Sequence, residues 1–399
     1  MLEYVGSQRT GLRERRHEAL DVLSILRGLD WLLLAGVGGV VALGLWAIGG
    51  ITRHDVAGDP RYYVKRQVVY ALVGLVGLLL ATLIDPDVWR RYWRWVFGGT
   101  TGVIAVVFLA GPVTRGSKRW LDLGFFRFQP SEFGKLLFVL ALAGFLAERG
   151  RRIGEVRTML QAIGLAAIPI FLVFLQPDIG TALVYVAALA AVLFVAGTRW
   201  TQLTVAGAVA VLAVVSVLWL LPAAGVHVLK PYQQDRLTGF THPSSDPAGS
   251  TYNINQSIVA VASGQLRGRG VAGSTQTNLN FLPEHATDFV FASYGEQRGF
   301  LGATLLLGLY LLLVWRGLRI VTIARDLFSA VVAGGIVVAL LFQIFVNVGM
   351  TMGIAPITGI PLPFVSVGGS SMIANLCAMG VLLAIHARGR AARTSRSRR

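Results

Sequence analysis

The stretch "WLLLAGVGGVVALGLWAIGG", Trp31 to Gly50, decides the fold. Each of its residues is apolar or glycine, and none is charged. A helix rises about 1.5 Å per residue, so roughly 20 such residues cross the ~30 Å hydrocarbon core of a bilayer. Its glycines allow neighbouring helices to approach closely. The stretch therefore predicts a membrane-spanning helix that packs against other helices.

Similar apolar runs recur along the whole chain of 399 residues. The composition is 54% hydrophobic and 14% charged, whereas a soluble domain carries about 25% charged residues. We therefore predict an all-α polytopic membrane protein with about ten transmembrane helices. The predicted spans are 31–52, 67–84, 95–113, 131–148, 158–175, 179–197, 202–224, 299–318, 327–353 and 370–387.

The basic residues predict the orientation in the cell membrane. The net charge is +16, and most of the 36 Lys and Arg residues fall in alternate loops and at both ends. This is the pattern of cytoplasmic loops that face anionic membrane lipids, so nucleic acid is not an expected partner. Both termini are therefore expected in the cytoplasm.

The same pattern divides the chain into three parts. A basic cytoplasmic segment (1–29) precedes a single membrane domain (30–388), and a basic tail (389–399) follows it. Between the seventh and eighth spans lies a long extracytoplasmic loop, 225–298. A connection of that length is far longer than usual, which indicates a functional segment.

That loop ends in "FLPEHATDFVFASYGE", Phe281 to Glu296, where acids gather in a chain that is short of charge. Apolar neighbours flank Asp288, and a lowered dielectric raises the pKa of a carboxyl, which suits a general base. If the stretch is helical, Glu284 and Asp288 share one face. The alternative is that these acids are solvated or cap the next helix. If the loop is catalytic, Glu284, His285 and Glu296 are expected in supporting roles, with Glu284 and His285 as candidate substrate-binding residues.

Two further clusters are candidate binding groups. In "QPSEFGK", Glu132 and Lys135 are spaced to pair on one face of a span, either inside the bundle or at the interface with Lys135 snorkelling. In "RGSKRW", cations flank an aromatic residue and suit either phosphate or interfacial anchoring. The residues of this second cluster are Arg115, Lys118, Arg119 and Trp120. Arg236 adds positive charge on the same side.

The segment "PITGIPLPFVSVGGSS" precedes the last span. Its prolines and glycines oppose a continuous helix, so it is either buried irregular backbone or a plain outer turn. Ser370 or Ser371 is expected to cap the last helix, whose amides would then favour an anion. The sequence has no Walker loop or Rossmann fingerprint, so no nucleotide cofactor is expected, and "EHATD" lacks the spacing of a zinc motif.

These residues resemble the SEDS family of shape, elongation, division and sporulation proteins. The resemblance covers roughly 28–388 and leans towards the elongation member RodA over the division member FtsW. Its segments are "GSKRWLDLGFFRFQPSEFGK", "QPDIGTALV", "YNINQSIVAVASGQLRGRG", "LPEHATDFVFASYGEQRGFLG" and "GIPLPFVSVGGSS". One departure is Val367, where the family usually has tyrosine.

The resemblance implies a peptidoglycan glycosyltransferase that polymerises lipid II at the outer face of the cell membrane. It also implies a class B penicillin-binding protein as its partner. The family's essential loop acid falls on Asp288, and its buried acid and lysine fall on Glu132 and Lys135. An α-linked donor that gives a β-linked product requires a single inversion at the anomeric carbon. A base must take the proton of the attacking hydroxyl, and this role is assigned to Asp288. Cations for the pyrophosphate are expected among Arg115, Lys118, Arg119 and Lys135, with Mg²⁺ or Mn²⁺ as a further candidate.

Two other functions compete with this one. A lipid II flippase would require charge through the depth of the bundle, whereas the acids gather outside it. A scaffold that positions the penicillin-binding protein is an added role that the sequence leaves open.

Overall fold

The structure is a computed structural model that describes residues 28–112, 118–122, 124, 126–226, 229–241 and 251–397. Within these residues, 10 helices are long and apolar enough to cross a membrane. The prediction of an all-α, multi-pass membrane protein with ten spans is therefore confirmed.

The first half of the chain supplies the first five spanning helices and the strands between two of them. Its elements are α1 (Trp31–Ile51), α2 (Tyr62–Leu83), α3 (Pro86–Arg91), α4 (Trp93–Ala110), β1 (Leu121–Asp122), β2 (Arg127–Phe128), α5 (Pro130–Arg149), a 3-10 turn (Gly150–Gly154) and α6 (Val156–Leu175). The two strands pair antiparallel, with Leu121 opposite Phe128.

The second half supplies the other five spans and the helices of the long loop. Its elements are α7 (Ile179–Ala196), α8 (Trp200–Val215), a π-helical turn (Ser216–Leu220), α9 (Pro231–Thr238), α10 (Tyr252–Ser263), α11 (Gly270–Gly273), α12 (Thr275–Asn278), α13 (Val290–Ile323), α14 (Leu327–Thr351) and α15 (Gly369–Ser397). A short helical turn, Leu221–Ala223, completes the span that α8 begins.

Three helices extend well beyond their predicted spans. α13 begins at Val290, nine residues before the predicted start, and bends at Gly299, which has φ 64° and ψ −164°. α2 begins five residues early, at Tyr62, and α15 continues to Ser397. A hydropathy search finds only the part of a helix that is apolar enough for the hydrocarbon core. It therefore misses the polar helical turns that continue beyond that core.

The core of the bundle is formed by α5, α14 and α15. Of the most apolar 18-residue window in each, 78%, 72% and 89% is buried. The corresponding window of α8 and its extension is 6% buried, so that span lies at the periphery. The central helices therefore hold the loops between them in fixed positions.

Glycines in α1 allow this helix to lie close to the segment between α14 and α15. A Cβ atom on Gly44 would lie 2.7 Å from the carbonyl oxygen of Phe364 and 3.0 Å from Cα of Val365. Gly38, on the same helix, has nothing within 4 Å of the corresponding position. The expectation of close packing therefore holds at Gly44 and not at Gly38.

Candidate active site

The candidate active site lies at the end of the bundle where α1 ends and α2 begins, which we call the site face. Its centre is the catalytic loop, Leu282–Phe289, a series of turns that leads into α13. Glu284 has φ +53°, which is incompatible with an α-helix. The expectation that Glu284 and Asp288 share a helical face is therefore wrong.

Asp288 is half-buried at the end of this loop. Burial is the largest influence and raises the pKa of its carboxyl from 3.8 to about 6. Glu284 and Asp178 raise the pKa further, whereas Arg236 and Arg119 lower it. Such a group is ionised at neutral pH and is a far stronger base than an ordinary aspartate.

Side chains from two other segments fix the backbone of the catalytic loop. The Asn347 amide of α14 donates to the carbonyl oxygens of Asp288 at 2.8 Å and Ile360 at 2.7 Å. The Ser366 hydroxyl donates to the carbonyl oxygen of Thr287 at 2.6 Å. Asn347 is fully buried, so both its bonds are protected from water. The loop is therefore bound to the segment between α14 and α15.

Gly359 lies against the carboxylate itself. A Cβ atom built on Gly359 would lie 3.3 Å from Oδ2 of Asp288, and this glycine has φ +71°. Its conformation and its position both favour the absence of a side chain. Val367, the departure from the family pattern, donates its backbone N–H to the carbonyl oxygen of Ala286 at 2.9 Å.

His285 anchors the loop to the connection between α1 and α2. Its Nε2 lies 3.0 Å from Oδ1 of Asp55, and its Nδ1 lies 3.2 Å from the carbonyl oxygen of Leu282. Burial lowers the pKa of the ring, but the hydrogen bond and charge of Asp55 outweigh burial and raise it. Because both ring nitrogens face acceptors, the doubly protonated ring satisfies this arrangement. His285 thus uses both ring nitrogens to hold the loop in position.

The two glutamates near Asp288 have different environments. Glu284 is exposed and accepts a hydrogen bond from the Thr287 hydroxyl at 2.9 Å. Glu296 is fully buried and accepts bonds from the backbone amides of Gln276 and Thr277 at 2.9 Å and 3.0 Å. Glu296 therefore holds α12 against α13, which is a structural role.

Arg119 and Asp178 extend the site towards α7. Their closest side-chain atoms lie 3.8 Å apart, and the Arg119 side chain is 27% exposed. Asp178 accepts from the backbone amide of Thr181 at 3.2 Å, which caps α7, and from the side chain of Gln129 at 3.0 Å. One carboxylate therefore orders the start of α7, the segment before α5 and Arg119.

The other residues of the "RGSKRW" cluster are less well placed for catalysis. Lys118 is half-buried and donates to the carbonyl oxygen of Leu109 at 3.3 Å, which binds it to the end of α4. Trp120 is half-buried. Arg115 lies outside the described residues. Of this cluster, the described geometry brings Arg119 into the electrostatic environment of Asp288.

Glu132 and Lys135 form a buried ion pair inside the bundle. Lys135 donates to Glu132 at 2.8 Å and to the side chain of Gln343 at 2.8 Å. Lys135 is 7% exposed and Glu132 3%, so the interior alternative is correct and snorkelling is wrong. The cavity beside them measures about 30 Å³, which holds one or two waters.

The two serines at the start of α15 serve local contacts. The Ser370 hydroxyl accepts from the backbone amide of Gln129 at 2.9 Å and donates to the carbonyl oxygen of Arg127 at 2.9 Å. The Ser371 hydroxyl accepts from Asn375 at 3.2 Å. Both lie inside the first turn, so the expected cap is wrong, and Ser370 instead binds the segment before α5.

The carboxylates do not form a ready-made metal cage. Among the described residues, no group of three or more His, Cys, Asp or Glu is placed to hold a metal ion. Mg²⁺ is commonly bound by one or two carboxylates together with substrate phosphates. Glu284, the exposed acid of the catalytic loop, is the carboxylate that such an ion could share with substrate phosphates.

Three supporting residues were not predicted from the sequence. Asp178 lies in the motif "QPDIGTALV" without an assigned role, although an acid at the start of a span is a recognisable signal. Gln343 and Asn347 are amides four residues apart in an apolar span, which places them on one helix face. That spacing could have identified the polar face of α14.

Comparison with known proteins identifies the family of this chain. Residues 28–391 match the sequence profile of the FtsW/RodA/SpoVE cell cycle protein family. Peptidoglycan glycosyltransferase MrdB of Escherichia coli (strain K12) is 36% identical over 347 residues, covering 87% of this chain and 92% of that protein. Probable peptidoglycan glycosyltransferase FtsW of Thioalkalivibrio sulfidiphilus (strain HL-EbGR7) is 37% identical over 391 residues, covering 94% and 91%. These identities do not separate the elongation and division members.

The fold is similar to a solved structure as well. A chain from the study "Structural coordination of polymerization and crosslinking by a peptidoglycan synthase complex" aligns with a TM-score of 0.76 and 32% identity, covering 90% of this chain and 98% of that one. Sequence profile, relatives and fold agree along nearly the whole chain. The protein belongs to the FtsW/RodA/SpoVE family.

Proposed function

We propose that this protein is a peptidoglycan glycosyltransferase that polymerises lipid II, a disaccharide-peptide carried on polyprenyl pyrophosphate, with Asp288 as the general base. The observation that carries the proposal is the half-buried carboxylate of Asp288, whose pKa is raised to about 6, with Arg119 and Arg236 in its electrostatic environment. It lies at one face of a multi-pass membrane protein, where a lipid-linked sugar can reach it.

The reaction follows from these groups. A sugar hydroxyl of the acceptor attacks the anomeric carbon of the donor, and the bond from that carbon to the pyrophosphate oxygen breaks. Asp288 takes the hydroxyl proton as the new glycosidic bond forms. Because an α-linked donor gives a β-linked product, a single displacement with inversion is sufficient.

The leaving pyrophosphate needs positive charge. Guanidinium groups bind phosphate oxygens through parallel hydrogen bonds, which suits Arg119 and Arg236 to this role. Mg²⁺ or Mn²⁺ that arrives with the pyrophosphate would neutralise part of the same charge, with Glu284 as the carboxylate that would share it. Lys135 lies inside the bundle, below the site. Its ion pair with Glu132 and its hydrogen bond to Gln343 hold α5 against α14 there.

The orientation and the division into parts belong to the same proposal. The site face lies outside the cell, both termini lie in the cytoplasm, and 225–298 forms the extracytoplasmic loop. The segments 1–29 and 389–399 are cytoplasmic. This orientation is supported by the arginine-rich loops at the opposite face, where Arg316 pairs with Asp30 at 2.6 Å.

A class B penicillin-binding protein is the proposed partner. Polymerised glycan needs peptide cross-links, which a protein of that class supplies. The similar solved structure comes from a peptidoglycan synthase complex that coordinates polymerization and crosslinking, which supports a pairing of the two activities. The motif "PITGIPLPFVS" favours a role in elongation and cell shape over one in division.

The test uses purified protein with its partner and lipid II, and measures glycan strands on a gel. We expect Asp288→Asn to slow polymerisation at least about 100-fold, the usual effect of losing a general base. Asp122→Asn is the matched control, because Asp122 is an exposed acid of the hairpin on the same face. It should polymerise at the wild-type rate.

Two results would contradict the proposal. An undiminished rate for Asp288→Asn would remove the base assignment. Wild-type protein that makes no polymer but moves lipid II across liposomes would establish a transporter instead.

A further inference from the structure

An arginine without an acidic partner lies on the site face, where α13 enters the membrane. The helix bends at Gly299, and Arg298 directly precedes the bend, at the boundary between its polar turns and its apolar span. Arg298 is half-buried. Its Nε is buried without a hydrogen-bond partner, and no carboxylate of the described residues forms an ion pair with it.

Other arginines at the ends of the bundle have acids beside them. Arg316 lies 2.6 Å from Asp30, and Arg388 lies 3.3 Å from Asp85. A charge that is partly removed from water is costly unless a counter-charge lies near it. Arg298 therefore requires an anion that the described part of the chain does not supply.

The guanidinium of Arg298 stacks on an exposed tryptophan of α1. Its Cζ lies 3.6 Å from the centroid of the Trp46 ring, and Trp46 is 53% exposed. A cation over the face of an indole is attracted by the ring, and tryptophan is common at the level of lipid headgroups. The stack holds the guanidinium in one plane, which suits its fork of donors to phosphate oxygens.

A second donor without a partner lies beside this stack. A Cβ atom on Gly50, four residues after Trp46, would lie 2.6 Å from Oε1 of Gln297. Gln297 and Arg298 therefore reach the same face of α1. The side-chain nitrogen of Gln297 is buried and has no hydrogen-bond partner among the described residues. Neighbouring donors that lack acceptors indicate a ligand with acceptor oxygens.

Arg267 adds a second positive charge at the bend. A Cβ atom on Gly299 would lie 2.8 Å from the backbone nitrogen of Arg267, so the turn after α10 lies directly against α13 here. The Arg267 side chain is exposed. Two adjacent cations at a membrane surface favour a ligand with net negative charge.

Exposed apolar side chains continue this patch into the span. Leu266, Phe300 and Leu301 are 57%, 64% and 56% exposed. The carbonyl oxygen of Leu266 accepts from the backbone amide of Leu301 at 3.1 Å, which holds the turn against the helix. Cations above an apolar surface match an amphiphile with an anionic head and hydrocarbon tails. A soluble anion would leave the apolar surface without a partner.

We propose that Arg298, Arg267 and Trp46 bind the headgroup of an anionic phospholipid in the leaflet at the site face. The lipid phosphate accepts from the guanidinium of Arg298, and Arg267 attracts the net negative charge. The acyl chains lie against Trp46 and Phe300. A zwitterionic lipid carries the same phosphate with an ammonium group, which the two cations repel. The inference uses none of the chemistry at Asp288.

The test measures which lipid contacts Trp46 in full-length protein reconstituted into phosphatidylcholine vesicles. Brominated phospholipids quench tryptophan fluorescence on contact. Each protein is compared with its own Trp46→Phe form, which isolates Trp46 among the 9 tryptophans. At equal low mole fractions, brominated phosphatidylglycerol should bind about fivefold more tightly than brominated phosphatidylcholine, the usual effect of one basic residue at a charged membrane surface.

Two variants and a control locate the preference. Arg298→Gln should abolish it, and Arg267→Gln, at an exposed position that leaves the fold intact, should reduce it. Arg127→Gln is the matched control, because Arg127 is an exposed arginine of the hairpin on the same face, paired with Asp122. It should keep the full preference.

Several results would overturn the proposal. One is equal quenching by the two brominated lipids in the wild type, and another is a full preference in both Arg298→Gln and Arg267→Gln. Loss of the preference in inorganic phosphate at constant ionic strength would assign the arginines to a soluble anion. Equal quenching together with weaker binding of the partner protein by Arg298→Gln would assign the patch to a protein contact. No turnover is measured, so each result is independent of the glycosyltransferase proposal.

Discussion

Burial makes Asp288 a stronger base. It also means that the ionised carboxylate lowers the stability of the folded protein. The raised pKa of about 6 means that the folded protein opposes ionisation of this carboxyl. One pKa unit corresponds to about 1.4 kcal/mol. After allowance for partial exposure, the ionised carboxylate costs about 1 to 3 kcal/mol of stability at neutral pH.

The first prediction follows from that cost. Asp288→Asn should raise the thermal unfolding temperature in detergent at pH 7.5, because it removes a destabilising charge. The gain is complete above pH 6 and shrinks as pH falls from 6 towards 4, where the wild-type carboxyl is protonated in the folded state. Thermal melts across pH measure it, with Asp122→Asn as the control. An unchanged or lowered melting temperature for Asp288→Asn would contradict the burial argument.

Gly359 supplies a second prediction at this scale. Gly359→Ala places a methyl group beside the carboxylate at a left-handed backbone position, so polymerisation should fall about tenfold or more. Gly197→Ala is the control, since Gly197 has φ +94° and open space around it at the opposite face. Both variants should lose stability, and only Gly359→Ala should lose initial rate. Equal rates for the two would refute a role of Gly359 at the carboxylate.

At the scale of single elements, His285 binds the catalytic loop to the connection after α1. His285→Gln should cost about 1 to 2 kcal/mol in stability at pH 6, where the imidazolium pairs with Asp55. Because the pKa of His285 is raised above its usual 6.5, this contribution is fully present below pH 6.5 and is lost as pH rises through the raised value. His54→Gln, at an exposed neighbour, is the control.

Melting temperatures at pH 6 and pH 9 measure that effect. The difference between wild type and His285→Gln should be large at pH 6 and small at pH 9. A difference that grows with pH would show that His285 is held neutral.

The glycines of α1 give a matched pair of variants. Gly44→Ala forces the chain near Phe364 to move, which should cost about 1 to 3 kcal/mol and lower polymerisation. Gly38→Ala meets nothing and should be neutral or slightly stabilising. Melting temperature and initial rate report both. Equal destabilisation by the two substitutions would disprove specific packing at Gly44.

Hydropathy predicts elements inside the hydrocarbon and misses those beyond it. The ten spans were predictable because each requires about 20 apolar residues. The segment 290–298 was not, because Glu296, Gln297 and Arg298 lie in a helical turn outside the predicted span. The turns of the catalytic loop also escaped prediction, since Glu284 adopts a left-handed conformation.

At the scale of the whole molecule, separate connections meet around Asp288. His285 contacts Asp55, which is 230 residues away in the chain. Ser366 and Asn347, from the C-terminal part of the chain, bind the backbone of the same loop. Motif content identified Asp288 as the candidate base and placed Glu132 beside Lys135. The loop contacts could not be predicted, because no local pattern encodes a pairing between distant loops.

The pH dependence of polymerisation tests the central claim most directly. With lipid II and the partner protein, kcat/KM of the wild type should rise with pH through an apparent pKa of about 6 and level off above pH 7, because Asp288 must be ionised to accept the proton. Asp288→Asn should keep only a residual rate without that acid limb. A wild-type rate that is flat between pH 5 and 8, or an acid limb that persists in Asp288→Asn, would contradict the assignment of Asp288 as the base.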